Sequence, residues 1–201
     1  MMKNITNISC KVLLFLVILI PFNLNSKTVV DLIKTNPDLS LFYSHLKETG
    51  LEEVLEKKLP WKWTVFAPTN KAFKSIPQTA KDKILSDKSF SKSLMMDHLL
   101  TGQKISSDFG EDATTVVTVS NKPLQLFKKD SLFVKDMVVV KENINANNGV
   151  IHYINCLMFV QPSEDDYRLT ESQKKNFPIT SCCMRTDTEV NEWIKSAKEK
   201  F

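Results

Sequence analysis

Residues 64 to 73 read Thr64-Val-Phe66-Ala-Pro68-Thr69-Asn70-Lys-Ala-Phe73 and combine the signals of a strand and of a helix. The first three residues are β-branched or aromatic, which favours a strand, and Pro68 cannot continue the ladder of a sheet. Thr69 then occupies an N-cap position, where its hydroxyl can accept a hydrogen bond from a backbone N–H. Apolar residues up to Ile76 follow at helical spacing. The stretch therefore predicts a sharp strand-to-helix corner with apolar side chains on both arms.

A second stretch, Asn148-Gly149-Val-Ile-His152-Tyr-Ile-Asn-Cys-Leu-Met-Phe-Val160, predicts a turn followed by a long strand. Asn-Gly pairs are typical of turns because both residues tolerate positive φ, and we expect Asn148 and Gly149 to supply such positions. The strand after the turn has almost no polar alternation. It should therefore be buried on both faces or close the sheet.

Both stretches resemble the two signature motifs of the fasciclin (FAS1) domain family, in the right order and at the right separation. Between them, His98-Leu-Leu-Thr-Gly102 is similar to the family's central motif, although Asp97 stands where the family often has Tyr. The resemblance covers residues 28 to 160. It implies an α+β domain, a wedge of two β-sheets edged by several helices. The residues for which it implies a structural role are Thr64, Phe66, Pro68, Thr69, Asn70, Phe73, His98, Gly102, Asn148, Gly149 and His152.

The rest of the domain divides into a helical part and a β-rich part. Residues 28 to 58 and 69 to 101 carry apolar residues at helical spacing. Thr28 can cap the first helix, and Gly50 suits a helix C-terminus. Trp61 and Trp63 flank Lys62 and should share one face of a strand at 61–67, covering the sheet edge. Further strands are predicted at 114–119, 124–127, 132–134 and 137–140, with a hairpin turn at Lys129-Asp130.

Two segments flank the domain, which we place at residues 27 to 161. Residues 1 to 26 combine two lysines with the apolar run 12–20, which is too short to span a bilayer and typical of a secretory signal peptide. An uncleaved anchor is the alternative. We expect a secreted or periplasmic protein with no integral membrane segment after cleavage. Residues 162 to 201 form a C-terminal extension, in which a capping box at Thr186 to Glu189 precedes a short amphipathic helix that docks on the domain or on a partner.

Three cysteines lie after the predicted signal peptide, and an oxidising compartment favours a disulfide bond between two of them. A bridge between the adjacent Cys182 and Cys183 would be strained, so we expect Cys156 to pair with one of these two. This bond would close a loop of about 26 residues, which stabilises a protein by roughly 3 to 4 kcal/mol in the chain-entropy model. The alternative is that Cys156 is only a core residue.

Composition and motifs argue against several function classes. The chain is 42% hydrophobic and 25% charged, as in globular proteins, and its formal net charge of +4 is too small to indicate a nucleic-acid binder. Its glycines form no phosphate-binding motif, and its three histidines are not grouped with Cys or carboxylates at metal-ligand spacing. We therefore expect no enzyme, no metal and no cofactor.

The resemblance implies a secreted interaction module that binds a protein, a cell surface or a matrix component. In animal relatives an Asp-Ile pair shortly before the second motif contributes to integrin contact, and Asn143-Ile144 stands at that place here. Without the carboxylate, a metal-bridged contact of that kind is not expected. The alternative function is carriage of an apolar pigment or lipid, for which the available aromatic residues are Trp61, Trp63, Trp193 and Phe201.

We expect Thr69→Ala to lower the free energy of unfolding by about 1 kcal/mol, the typical cost of a lost N-cap. Urea unfolding followed by circular dichroism measures this change. Partner binding per folded molecule should stay the same, because Thr69 is there to build the corner. A Thr69→Ala protein that keeps its stability and loses its binding would contradict this interpretation.

Overall fold

The computed structural model describes residues 27–75, 88–135 and 137–158. The predicted signal peptide and the C-terminal extension with its predicted helix lie outside these ranges. The described helices are α1 (Val29–Lys34), α2 (Ser40–Glu48), α3 (Leu51–Glu56), α4 (Asn70–Lys74) and α5 (Lys88–Asp97), with short 3-10 helices at Pro37–Leu39 and Ser106–Asp108. The described strands are β1 (Trp63–Pro68), β2 (Leu99–Thr101), β3 (Thr114–Val117), β4 (Pro123–Lys128), β5 (Leu132–Val134), β6 (Met137–Ala146) and β7 (Gly149–Ile154).

The described strands are hydrogen-bonded in the order β2-β1-β7-β6-β5-β4-β3. β1 runs parallel to β7, while the other neighbouring strands are antiparallel. The first residues of β6 pair with β5 and the remainder pairs with β7, across shifts of register at Lys141. The α+β class predicted from the sequence is confirmed, and the strands of the two expected sheets are continuous through the irregular strand β6.

β1 is buried on both faces and separates two hydrophobic cores. Trp63 and Val65 point into the main core, which the helices cover with residues such as Phe42. Phe66 belongs to a second core, which it shares with residues of β4, β5 and β6. β7 is likewise buried along its whole length, as its lack of polar alternation predicted. The centre of the sheet is therefore enclosed between the helical layer and the remaining strands.

Local sequence signals explain the helix ends. Thr28 and Asp31 form a capping box at the start of α1, in which Thr28 Oγ1 accepts from Asp31 N at 3.1 Å and Asp31 Oδ2 accepts from Thr28 N at 2.8 Å. Gly50 has a φ of 73° just after α2, a backbone conformation that glycine adopts without a steric cost. The predicted cap at Thr28 and the predicted helix-terminal position of Gly50 are confirmed, whereas the reciprocal bond from Asp31 was not predicted.

Several strand boundaries differ from the prediction, and the largest differences are those of β2, β6 and β7. Residues 99 to 101 were expected to be helical but form β2, because Leu99, Leu100 and Thr101 pair with the free edge of β1. β6 extends to Ala146 rather than stopping at residue 140, because β7 gives it a second partner along this length. β7 ends at Ile154, six positions earlier than its apolar run suggested. In each case strand pairing overrides the local pattern.

The turn between β6 and β7 does not use positive φ at Asn148 or Gly149, so that prediction was wrong. Gly149 is required for a different reason. It lies opposite Trp63 in the parallel pairing, and a Cβ atom added to it would lie 2.4 Å from the Trp63 carbonyl oxygen. The absence of a side chain therefore permits the close approach of β1 and β7.

Gly149→Ala should lower the free energy of unfolding by about 1 to 3 kcal/mol, because the methyl group meets rigid backbone atoms and forces the two strands apart. Gly110→Ala is the matched control, since a methyl group added there would have no neighbour within 4 Å and the φ of Gly110 is not positive. That control should change the stability by less than about 0.5 kcal/mol. Chemical denaturation measures both variants, and equal effects would contradict the role assigned to Gly149.

Candidate functional site

The corner after β1 is bonded to the end of β7. Thr69 Oγ1 accepts a long hydrogen bond from Ala72 N at 3.4 Å, in the geometry of an N-cap of α4. The backbone N–H of Thr69 donates to the carbonyl of Ile154 at 3.2 Å. Pro68 is the last residue of β1, and Phe73 is buried in the main core. The corner therefore joins α4 to the central pair of strands.

Asn70 links the same corner to the beginning of α2. Its side-chain oxygen accepts from Leu41 N at 3.0 Å, and its side-chain nitrogen donates to the Pro37 carbonyl at 2.9 Å and to Ser40 Oγ at 3.0 Å. The first of these bonds satisfies an N–H in the first turn of α2, which has no partner within the helix. The amide is thus engaged within the domain.

Asn148 has an equivalent role at the opposite end of β1. Its side-chain oxygen accepts from Val29 N at 2.8 Å, and its side-chain nitrogen donates to the Leu55 carbonyl at 2.8 Å. Its own carbonyl accepts from Trp63 N at 2.8 Å. One residue therefore connects the start of α1, the end of α3 and the start of β1.

His98 connects α5, β1 and the segment after β7. Its ring Nε2 accepts from Met158 N at 2.9 Å, so the proton lies on Nδ1, which donates to the Leu94 carbonyl at 2.8 Å. The His98 carbonyl accepts from Phe66 N at 2.9 Å. The pKa of His98 is lowered from 6.5 to about 4, chiefly by burial and also by the charge of Lys122, against the opposing effect of the Leu94 hydrogen bond. The ring is neutral at physiological pH.

His152 lies on the other face of the sheet and bonds to the segment after β2. Its Nε2 lies 2.9 Å from the Lys104 carbonyl, and its ring stacks on Phe66 at a centroid distance of 5.5 Å. Thr64 Oγ1 donates to the Gly102 carbonyl at 2.7 Å and accepts from Lys104 N at 2.8 Å. Burial lowers the pKa of His152 from its usual value. These residues hold the segment after β2 against the sheet.

Asn143 and Ile144 lie in the irregular part of β6. Asn143 has a φ of 57°, and its amide accepts from Ser106 N at 2.9 Å and donates to Ser106 Oγ at 2.7 Å. Its backbone N–H faces His152 Nδ1 at 3.3 Å. Ile144 is partly buried against the main core. The polar atoms of the Asn143 side chain are therefore engaged inside the domain, and partner contact by this pair stays a prediction.

A buried ion pair lies beside His98, and the sequence analysis did not find it. Asp97 is 1% exposed, and its Oδ2 accepts from Lys122 Nζ at 2.9 Å. Its other oxygen accepts from Ser120 Oγ, which in turn bonds to Thr118 Oγ1 at 2.9 Å. The only sequence signal was that Asp97 stands where the resemblance implies Tyr. The pair connects the end of α5 to the turn between β3 and β4.

In the ranges that the structure describes, no group of three or more His, Cys, Asp and Glu side chains is placed to hold a metal ion. His45 is partly buried, stacks on Phe73 at 5.3 Å and approaches Glu48 at 3.4 Å.

Within the same ranges no helix is long and apolar enough to span a membrane.

The predicted cysteine and tryptophan sites are only partly within the described ranges. Cys156 is 1% exposed in the second core, while Cys182 and Cys183 lie outside, so the disulfide pairing stays a prediction. Trp63 is 3% exposed, whereas Trp61 lies before β1 and is 43% exposed. The prediction that the two tryptophans share one face of a strand was therefore wrong.

Comparison with known proteins identifies similar domains. The family model of the Fasciclin domain matches residues 37–160. Human periostin is 29% identical over 135 residues, which make up 66% of this chain and 16% of periostin. The transforming growth factor-beta-induced protein ig-h3 of Sus scrofa is 28% identical over 162 residues, or 79% of this chain and 23% of that protein. The chain thus spans less than a quarter of either relative.

A solved structure has a similar fold. It contains a FAS1 domain pair from the insect cell adhesion molecule Fasciclin I and matches with a TM-score of 0.57 at 19% sequence identity. The match covers 66% of this chain and 50% of the solved chain. The similarity concerns the fold.

Acid should destabilise the protein through His98. Its pKa is 6.5 in the unfolded chain and about 4 in the folded protein. Between pH 6.5 and pH 4 the unfolded state therefore binds more protons, and the free energy of unfolding decreases as the pH is lowered. The loss should reach roughly 3 kcal/mol near pH 4, with His152 contributing in the same direction. Urea unfolding at a series of pH values measures the slope.

Nuclear magnetic resonance of the His98 ring nitrogens assigns this effect to one residue. In the folded protein the ring should keep its proton on Nδ1 and stay neutral down to about pH 5. A His98 ring that titrates near pH 6.5 in the folded protein would contradict the assignment.

Proposed function

The chain belongs to the fasciclin domain family, and on this premise we propose that it is a secreted or periplasmic module that binds a protein, a cell surface or a matrix component. Family membership is the observation that carries the proposal. The related solved domain pair comes from a cell adhesion molecule, which supports adhesion as the kind of binding. The apolar run at 12–20 behind two lysines supports export as a cleaved precursor.

The use of the motif side chains supports binding through loops rather than through the motifs. Asn70, Asn148 and His98 each bond to backbone groups of the domain, and His98 is fully buried. A partner that engaged these groups would first have to break those bonds, at a cost of about 1 to 3 kcal/mol for each buried group left unpaired. We therefore assign partner choice to exposed loops and strand edges.

Asn143 supports a contact that does not use a bridging metal. An amide lacks the negative charge with which a carboxylate attracts a divalent cation, and both polar atoms of this amide already bond to Ser106. Partner binding is therefore proposed to be independent of divalent cations.

The alternative function, carriage of an apolar molecule, has no support among the described residues. Trp63, one of the aromatic residues considered for it, packs in the main core at 3% exposure. Trp193 and Phe201 lie outside the described ranges. A disulfide bond from Cys156 to Cys182 or Cys183 remains part of the proposal, and it would fix the C-terminal extension to the end of β7.

Cell attachment to surfaces coated with the purified protein tests the proposed function. Attachment should exceed that to surfaces coated with the heat-denatured protein, and soluble native protein should compete for it. Addition of EDTA should leave attachment unchanged, because Asn143 provides no carboxylate for a bridging metal. Loss of attachment in EDTA would contradict the metal-independent contact.

The same preparation distinguishes the alternative. Absorbance spectra and native mass spectrometry of protein purified from its own source would reveal a bound pigment or lipid. Bound ligand together with absent attachment would reverse the assignment in favour of carriage, whereas attachment without ligand supports the interaction module.

A further inference from the structure

An exposed loop of residues 57 to 62 joins α3 to β1 and combines basic with aromatic residues. Its sequence is Lys57-Lys58-Leu59-Pro60-Trp61-Lys62, and every residue except Leu59 is exposed. Leu59 packs against the main core and so anchors the loop from within. We refer to residues 57–62 as the Trp61 loop.

Trp61 is held in place at the surface. Its ring meets that of the buried Trp63 edge to face, with the centroids 6.2 Å apart and the planes at 81°. Nevertheless 43% of Trp61 remains exposed. Among the aromatic residues whose burial the structure describes, this is the largest exposed fraction. Leaving an indole in water forgoes the stabilisation that burial of its apolar area would provide. A large apolar side chain on a packed base at the surface is typical of an interaction site.

Hydrogen bonds place other segments at the same end of the domain. The Lys62 carbonyl accepts from Gly102 N at 2.7 Å, and Trp63 N donates to the Asn148 carbonyl at 2.8 Å. The neighbouring Asn147 donates its N–H to the Lys27 carbonyl at 3.0 Å. The exposed Lys27 therefore lies at the same end as the lysines of the Trp61 loop.

The charge at this end is predominantly positive. Four exposed lysines lie there, next to the carboxylates of Glu53 and Glu56 on α3 and of Asp31 in the capping box of α1. The exposed lysines are Lys27, Lys57, Lys58 and Lys62. A positively charged surface attracts an anionic partner, and the range of this attraction decreases as the salt concentration rises.

We propose that the Trp61 loop docks on the surface of an anionic phospholipid bilayer. Tryptophan prefers the headgroup region of a bilayer, where its apolar body and its polar N–H are both accommodated. Lysines next to it would face the lipid phosphates, and several such lysines together give reversible binding that weakens with salt. The exposed Pro60-Trp61 pair between cations suits shallow insertion into an interface, where the apolar pair leaves water and the lysines stay at the headgroups.

This partner is the lipid of a surface, whereas the proposed function also covers proteins and matrix components, and vesicles test it in the absence of both. Membrane docking would hold the module at a lipid surface while other loops remain available. Cell attachment and lipid binding can therefore succeed or fail separately.

Vesicle binding of the purified protein tests the proposal. Vesicles of phosphatidylcholine with phosphatidylserine should sediment the protein and shift its tryptophan emission to shorter wavelength, and high salt should reverse both effects. The triple variant Lys57→Gln, Lys58→Gln, Lys62→Gln should bind at least about tenfold more weakly. Trp61→Ser should lose the emission shift.

Lys71→Gln, Lys74→Gln, Lys92→Gln is the matched control. It removes the same charge from exposed positions on α4 and α5, and α4 follows the opposite end of β1. This control should bind as the unaltered protein does, and urea unfolding should show that all variants remain folded.

Several results would overturn the proposal. These are equal binding to vesicles of phosphatidylcholine alone, equal weakening by the control variant, and no vesicle binding by a folded protein. Binding to a sulfated polysaccharide that the triple variant abolishes, without vesicle binding, would likewise overturn it and assign the loop to a glycan.

Discussion

The parallel pairing of β1 with β7 is the interaction on which the rest of the domain depends. Both strands are buried on both faces, so a backbone N–H or carbonyl left unpaired there would be costly. Asn148 completes the bonding at the start of the pair with its side chain and its carbonyl, and the His98 carbonyl, just before the edge strand β2, accepts from Phe66 N of β1. Each of these residues also bonds to a helix. The positions of the helices are therefore set by directional hydrogen bonds as well as by apolar packing.

The secondary structure could be predicted from the sequence where local preferences and tertiary position agree. Examples are the strand-to-helix corner at Thr69 and the apolar strand β7. The sequence was insufficient where pairing decides. The apolar residues of β2 fit a helical pattern equally well, and only the free edge of β1 makes them a strand. Gly149 was identified correctly as special but for the wrong reason, because its close approach to Trp63 joins residues far apart in the chain. The ion pair of Asp97 with Lys122 and the φ of Asn143 escaped detection for the same reason.

The motif residues that identify the domain are structural, so we expect the residues that determine binding to lie elsewhere on it. Residues that identify the family fill the interior and the junctions between elements, where a change acts on folding first. The Trp61 loop shows the opposite behaviour, since Leu59 and the contact of Trp61 with Trp63 hold it in place while its other side chains face water. Loops of this kind can change without disturbing the central strands. Different members of one family can therefore share the corner and the long strand and still meet different partners.

The position of β1 in the sheet also determines when the domain can fold. Its residues leave the ribosome early, while its partner strand β7, which begins at Gly149, is synthesised near the end of the domain. Until then one edge of an apolar strand stays unpaired, and such edges attract wrong partners. Pairing between distant segments also slows folding. The central pair of strands can therefore form only after most of the domain has been synthesised.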